Sequence, residues 1–98
     1  MHKYKDVCII GSGIAGIASS IRLAAAGYRV KIFEAENAPG GKLNEFHLGP
    51  YRFDLGPSLF TMPAYVDELF RVAGKEPGNY FQYKPLEHTN NYYFPDGL

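Results

Sequence analysis

The sequence has no tryptophan and only one cysteine among its 98 residues. A single thiol forms no internal disulfide, so the fold does not rely on an oxidising compartment. Cys8 stands inside an apolar run, where a free cysteine is expected to act as a small core hydrophobe and not as a redox group. Net charge is absent as well: ten basic and ten acidic side chains cancel. That balance gives no electrostatic case for nucleic acid or for an anionic membrane surface. No apolar run approaches the roughly 18 residues of a spanning helix. The N-terminal segment is not expected to be a signal peptide, because its apolar run is short and leads into a Gly-rich turn. These absences point to a cytoplasmic chain, with peripheral membrane contact left open through other parts of the protein. His2, His47 and His88 have no partner at a readable spacing, so each is expected to be structural or at the surface, and no metal site is expected.

What is present is an ordinary globular composition, 46% apolar and 20% charged, which argues against disorder. The length allows one small domain. Asp6 to Ile10 is a short β-branched apolar run closed by Gly11, which reads as a buried parallel strand. Ile14 to Ala26 carries apolar residues at helical spacing and stops at Gly27. Arg29 to Glu34 alternates and reads as a second strand. Strand, tight turn, helix and strand in so short a span make a βαβ unit with parallel strands.

Asn37 to Gly41 is a loop by composition. Leu43 to Leu48 and Tyr51 to Leu55 flank Gly49-Pro50 and predict an antiparallel hairpin. Pro63 to Val72 predicts a short helix, with Pro63 in its first turn and Gly74 beyond its end. Tyr80 to Pro85 and Asn90 to Phe94 read as further strands, and Asp96-Gly97 as a hairpin turn whose return strand begins at Leu98. The fold class is therefore α/β: a Rossmann-like βαβ unit, then a hairpin, a short helix and more strands. Two parallel strands are too few to stand alone, so residues 1–98 are expected to be the N-terminal part of a larger domain.

The turn after the first strand reads Gly11-Ser12-Gly13-Ile14-Ala15-Gly16, a GxGxxG in its proper context between strand and helix. Gly11 permits the tight turn, Gly13 the approach of a pyrophosphate to the backbone, and Gly16 the close packing of helix on strand. The helix N-terminus adds free N–H groups and a positive dipole end. Glu34 closes the second strand, where a carboxylate accepts from a ribose 2′-OH and repels a 2′-phosphate. NADP is therefore disfavoured, while NAD and FAD remain equivalent on this motif alone. Gly40-Gly41-Lys42 follows soon after. It is either a second backbone approach to a phosphate, with a cation beside it, or a plain surface turn.

From Asp6 through Lys42 the sequence resembles the extended dinucleotide-binding signature of FAD-dependent amine oxidases and carotenoid desaturases. The stretch from Gly49 to Pro63 resembles the phytoene desaturase branch in particular, through Asp54, Gly56, Pro57 and Ser58. The resemblance implies that Gly11, Ser12, Gly13, Ile14, Ala15 and Gly16 hold the FAD pyrophosphate and that Glu34 holds its ribose. It implies that Gly40, Gly41, Lys42 and Leu43 line the ribityl-diphosphate side, and that Gly56, Pro57 and Ser58 lie near the isoalloxazine ring. Lys42 replaces the usual Arg, keeping the charge and losing the planar fork.

The implied activity is hydride transfer from a long apolar polyene such as phytoene to the flavin, in carotenoid biosynthesis. No acid–base set appears in the segment, and Asp54 is expected to tie down its loop rather than to catalyse. An amine oxidase, or a nucleotide-binding module without redox chemistry, are the competing readings. The first would differ mainly at residues 54 to 58, and the second would give a colourless protein.

Overall fold

A computed structural model describes residues 5–97. Strand β1 (Asp6–Ile10), helix α1 (Ile14–Ala25) and strand β2 (Arg29–Phe33) form the expected βαβ unit, with β1 and β2 parallel. The register pairs Val7 with Val30 and Ile9 with Ile32, so these four share one face of the sheet. Helix α1 covers that face. It stops because Gly27 takes the left-handed conformation, at φ 100°. A two-toothed ion pair from Arg29 to Asp6, at 2.7 and 3.1 Å, ties the starts of the strands together. Both side chains are exposed, which limits its contribution.

Strands β3 (Glu45–Leu48) and β4 (Tyr51–Asp54) form the antiparallel hairpin. Its register puts Phe46, Leu48, Tyr51 and Phe53 on one face and Glu45, His47, Arg52 and Asp54 on the other. On the polar face Arg52 pairs with both Glu45 and Asp54, and His47 Nε2 lies 3.0 Å from Glu45. These neighbours lower the Glu45 pKa, His47 contributing most, and raise that of Arg52, where the Glu45 hydrogen bond is the largest cause. Asp54, expected to fasten the following loop, is instead paired with Arg52 at 2.9 Å. Helix α2 (Pro63–Val72) spans its predicted residues, with Pro63 at the start and Gly74 in a left-handed turn beyond the end. It leans on α1, where Arg22 meets Glu68 at 3.3 Å.

Three expectations are corrected. Tyr80 to Pro85 and Asn90 to Phe94 are not strands. Their aromatic side chains suit a sheet, but neither run has a ladder partner among the described residues, and an extended segment without one is not a strand. Phe81 and Tyr83 instead cluster with Phe60 and Phe70, and the Tyr83 hydroxyl donates to Asp67 at 2.7 Å. The turn at Asp96-Gly97 does form, closed by a 3.0 Å bond from Gly97 N–H to the Phe94 carbonyl. The return strand assigned to Leu98 lies outside the described residues, as does His2. Cys8 is exposed, not buried. It shares the uncovered face of the βαβ sheet with Ile10 and Phe33, which are 83% and 50% exposed. Their apolar character suits a core, but among the described residues no second layer covers this face.

The domain is incomplete as a packing unit. Its accessible surface is 8649 Å², against about 5,600 Å² for a folded monomer of this mass. Its radius of gyration is 17.9 Å, where a compact chain of this length has about 13 Å. Leu69 is the single buried hydrophobic side chain among the described residues. Residues 1–98 expressed alone are therefore expected to bind a hydrophobic dye strongly and to melt without a cooperative transition. A monomer with a sharp calorimetric peak and little dye binding would contradict this.

Candidate functional site

The Gly-rich turn is built against β2 before it meets any ligand. Gly11 N–H donates to the Phe33 carbonyl at 2.8 Å, which carries the turn across to the end of the second strand. Gly16 sits in the first turn of α1, where an added Cβ would lie 2.1 Å from the Gly11 carbonyl oxygen. Helix and strand therefore approach as closely as the sequence reading requires. Gly13 differs: a Cβ there meets nothing within 4 Å. The space in front of Gly13 is open, and the protein's own packing does not require a glycine there. Ile14, Ala15 and Gly16 contribute first-turn amides, which an α-helix leaves without internal acceptors.

Ser12 is 4% exposed and forms the junction of the site. Its N–H and its Oγ both donate to Glu34 Oε1, at 2.8 and 2.6 Å. Its carbonyl accepts from Gly40 N–H at 2.8 Å. Glu34 Oε2 accepts from Glu36 N–H at 3.0 Å. These bonds favour the ionised carboxylate, the Ser12 hydroxyl most and then the Glu36 and Ser12 amides, and lower its pKa from 4.5 to about 2. The sign follows from linkage. The stabilisation is complete above about pH 4.5 and is lost as the pH falls toward 2.

The second Gly pair lies against the first. Gly40 and Gly41 have φ of 122° and 59°, and an added Cβ on Gly41 would come within 3.1 Å of the Gly13 Cα. Leu43 N–H closes this turn on the Gly40 carbonyl at 3.0 Å. Lys42 places its carbonyl under Gly56, where an added Cβ would be 2.0 Å from the oxygen. Residues 11–16, 40–43 and 56 are thus joined through backbone contacts, and Glu34 joins them through its carboxylate. Pro57 and Ser58 are exposed beyond the hairpin, and Pro57 borders a hollow of about 320 Å³ with Leu43 and Asp54.

The sequence reading misses two features. One is that the donors of Ser12 turn toward Glu34, a choice hidden in a residue that looks like a spacer between glycines. The other is the rim formed by Asn37, Ala38 and Pro39. With Ser12, Glu34 and Glu36 it borders a hollow of about 410 Å³, in the size range of small-molecule sites, about 300–1,000 Å³. Open space at Gly13, orphan amides at the head of α1 and a fixed carboxylate beside a hollow together fit a dinucleotide: phosphate on the amides, ribose near Glu34.

The family model for NAD(P)-binding Rossmann-like domains matches residues 9–75. A 1-hydroxycarotenoid 3,4-desaturase of Flavobacterium sp. (strain P99-3) is 47% identical over 93 residues, which is 95% of this chain and 19% of that protein. A 4,4'-diaponeurosporene oxygenase of Staphylococcus aureus (strain MRSA252) is 41% identical over 93 residues, with the same coverage of both chains. The chain thus spans about a fifth of the length of these relatives.

The two central glycines are expected to respond differently to a methyl group. In the whole protein, Gly16→Ala should lower the urea midpoint, at a cost of about 1–3 kcal/mol for the overlap with the Gly11 carbonyl. That exceeds the roughly 0.5–1 kcal/mol that alanine gains over glycine inside a helix. Gly13→Ala should leave the midpoint of the ligand-free protein unchanged. Equal midpoints for both variants would contradict the packing described.

Proposed function

Because this chain belongs to the NAD(P)-binding Rossmann-like domain family, we propose that it is the FAD-binding N-terminal part of an oxidoreductase that desaturates a long apolar polyene in carotenoid biosynthesis. The observation that carries the cofactor assignment is the junction of the two Gly turns through Ser12 and Gly13. A single GxGxxG serves any dinucleotide, whereas a second backbone approach next to it suits a longer ligand whose diphosphate leads on to a further group. Glu34, held ionised, repels a 2′-phosphate and so favours FAD over NADP.

In this reading Gly13 and the first-turn amides of α1 bind the pyrophosphate, and Glu34 accepts from the adenosine ribose. Gly40, Gly41, Lys42 and Leu43 flank the ribityl-diphosphate side, with the Lys42 ammonium as a counter-charge. Gly56, Pro57 and Ser58 stand on the side leading toward the ring. FAD, when bound, supplies the two-electron acceptor that takes a hydride from the substrate as a new C=C bond forms and a proton is released. What the residues described here contribute is binding and orientation.

The names of the relatives support the substrate class, since both act on carotenoids. The apolar surroundings of the Asp54–Ser58 stretch fit a hydrocarbon, with Phe53, Leu55, Leu59 and Phe60 all substantially exposed. A site for such a substrate relies on apolar area, at roughly 25 cal/mol per Å² buried. A cytoplasmic protein that meets its substrate at a membrane surface is consistent with this. Among the described residues no helix is long and apolar enough to cross a membrane.

Two measurements test the proposal. Denaturing the purified whole protein should release FAD, identified by chromatography of the supernatant, and Gly13→Val should lose flavin with little change in the fold, its far-UV circular dichroism matching that of the wild-type apoprotein. Release of NADP, or full flavin occupancy in Gly13→Val, would contradict the cofactor assignment. Given phytoene or another acyclic carotenoid in liposomes, the whole protein should form more conjugated pigment, seen as a red-shifted absorbance of the extract. Reduction of the flavin by simple amines, with carotenoids left untouched, would support the amine oxidase reading instead.

A further inference from the structure

We infer that the Ser12 hydroxyl is a positioning residue of the dinucleotide site: it fixes the Glu34 carboxylate with Oε1 occupied, which leaves Oε2 to meet the ribose hydroxyl. The inference rests on the dinucleotide reading above and deepens it. A carboxylate oxygen has two lone-pair positions. Those of Oε1 are both taken, by the Ser12 amide at 2.8 Å and the Ser12 hydroxyl at 2.6 Å. Oε2 accepts from Glu36 N–H at 3.0 Å, and the Ala35 amide adds a smaller pull on the same carboxylate, so Oε2 is the oxygen left facing a ligand. That oxygen belongs to a side chain on the rim of the hollow bordered by Ser12, Glu34 and Glu36.

Glutamate has three side-chain torsions to immobilise, and a free one would lose that freedom on meeting the ligand. Here the cost falls on folding, because Ser12 is itself buried and its carbonyl is anchored to Gly40. Removing the hydroxyl leaves the Gly40 bond and the Ser12 amide in place. The substitution therefore isolates the link from hydroxyl to carboxylate without dismantling the turn.

The test is FAD titration of the apo whole protein, followed by quenching of flavin fluorescence between pH 8 and pH 4. Wild type should bind with an affinity that is nearly flat over this range, because Glu34 stays ionised. Ser12→Ala should bind about three- to tenfold more weakly at pH 7, the loss expected for one hydrogen bond. It should also weaken further below about pH 5, as the Glu34 pKa returns toward 4.5. Ser12→Thr, which keeps a hydroxyl, should restore both the affinity and the flat profile.

In a Glu34→Ala background, which removes the acceptor, Ser12→Ala should change affinity by less than about twofold, since its effect runs through the Glu34 side chain. A Ser12→Ala profile that overlays wild type, or an undiminished loss in the Glu34→Ala background, overturns the inference. If wild type binds no FAD, the cofactor reading fails separately. The Glu34 titration, followed by carboxyl ¹³C resonances and assigned by the signal missing in Glu34→Gln, then decides the link. An upward shift in Ser12→Ala supports it and an unchanged titration overturns it.

Discussion

The carboxylate of Glu34 and the backbone of the Gly-rich turn hold each other in place, and the rest of the site depends on that contact. Glu34 stands at the end of β2 and reaches back over the turn that leaves β1. Three donors in the protein already satisfy it before any ribose arrives. The turn therefore cannot drift from the strand end without stranding an ionised group, which is costly even when only partly shielded from water. From the same residue the Ser12 carbonyl holds Gly40, Gly41 lies against Gly13, and Lys42 lies beneath Gly56. Each close approach is made by a position without a Cβ. The backbone can then line the site without side chains standing between it and a ligand.

This economy has a consequence for stability. Glycine contacts bury little apolar area, and α1 covers only one face of a two-stranded sheet. The opposite face, with Cys8, Ile10 and Phe33, and the apolar face of the hairpin, with Phe46, Leu48, Tyr51 and Phe53, stay largely open. The ionic cluster on the other face of the hairpin is exposed and offsets little of this. The site is thus geometrically well defined while the segment that carries it is poorly buried.

How much of this was legible in the sequence differs by element. The βαβ unit, the hairpin and α2 were readable because their signals are local: β-branched runs, helical spacing, Pro63 at a helix start, and Gly27 and Gly74 beyond helix ends. Gly16 was readable because close packing of helix on strand has a fixed place in the motif. Strands at 80–85 and 90–94 were misread because a strand is defined by its partner, and aromatic composition reports suitability for a sheet and not the presence of one. Cys8 was misread for a related reason, since burial depends on a neighbouring layer. The role of Ser12 was not visible, because a serine between two glycines gives no sign of which way its hydroxyl turns. The junction between residues 11–16 and 40–43 was suggested by family resemblance, but its physical basis, Gly41 against Gly13, is a tertiary contact that no local pattern encodes.

The most direct test of the account is an experimental structure of the whole protein with FAD bound. Pyrophosphate oxygens should lie about 3 Å from the Gly13 amide and the first amides of α1. One adenosine ribose hydroxyl should donate to Glu34 Oε2, with Ser12 still on Oε1. A diphosphate bound away from Gly13, or a ribose with Glu34 turned away from it, would contradict the account.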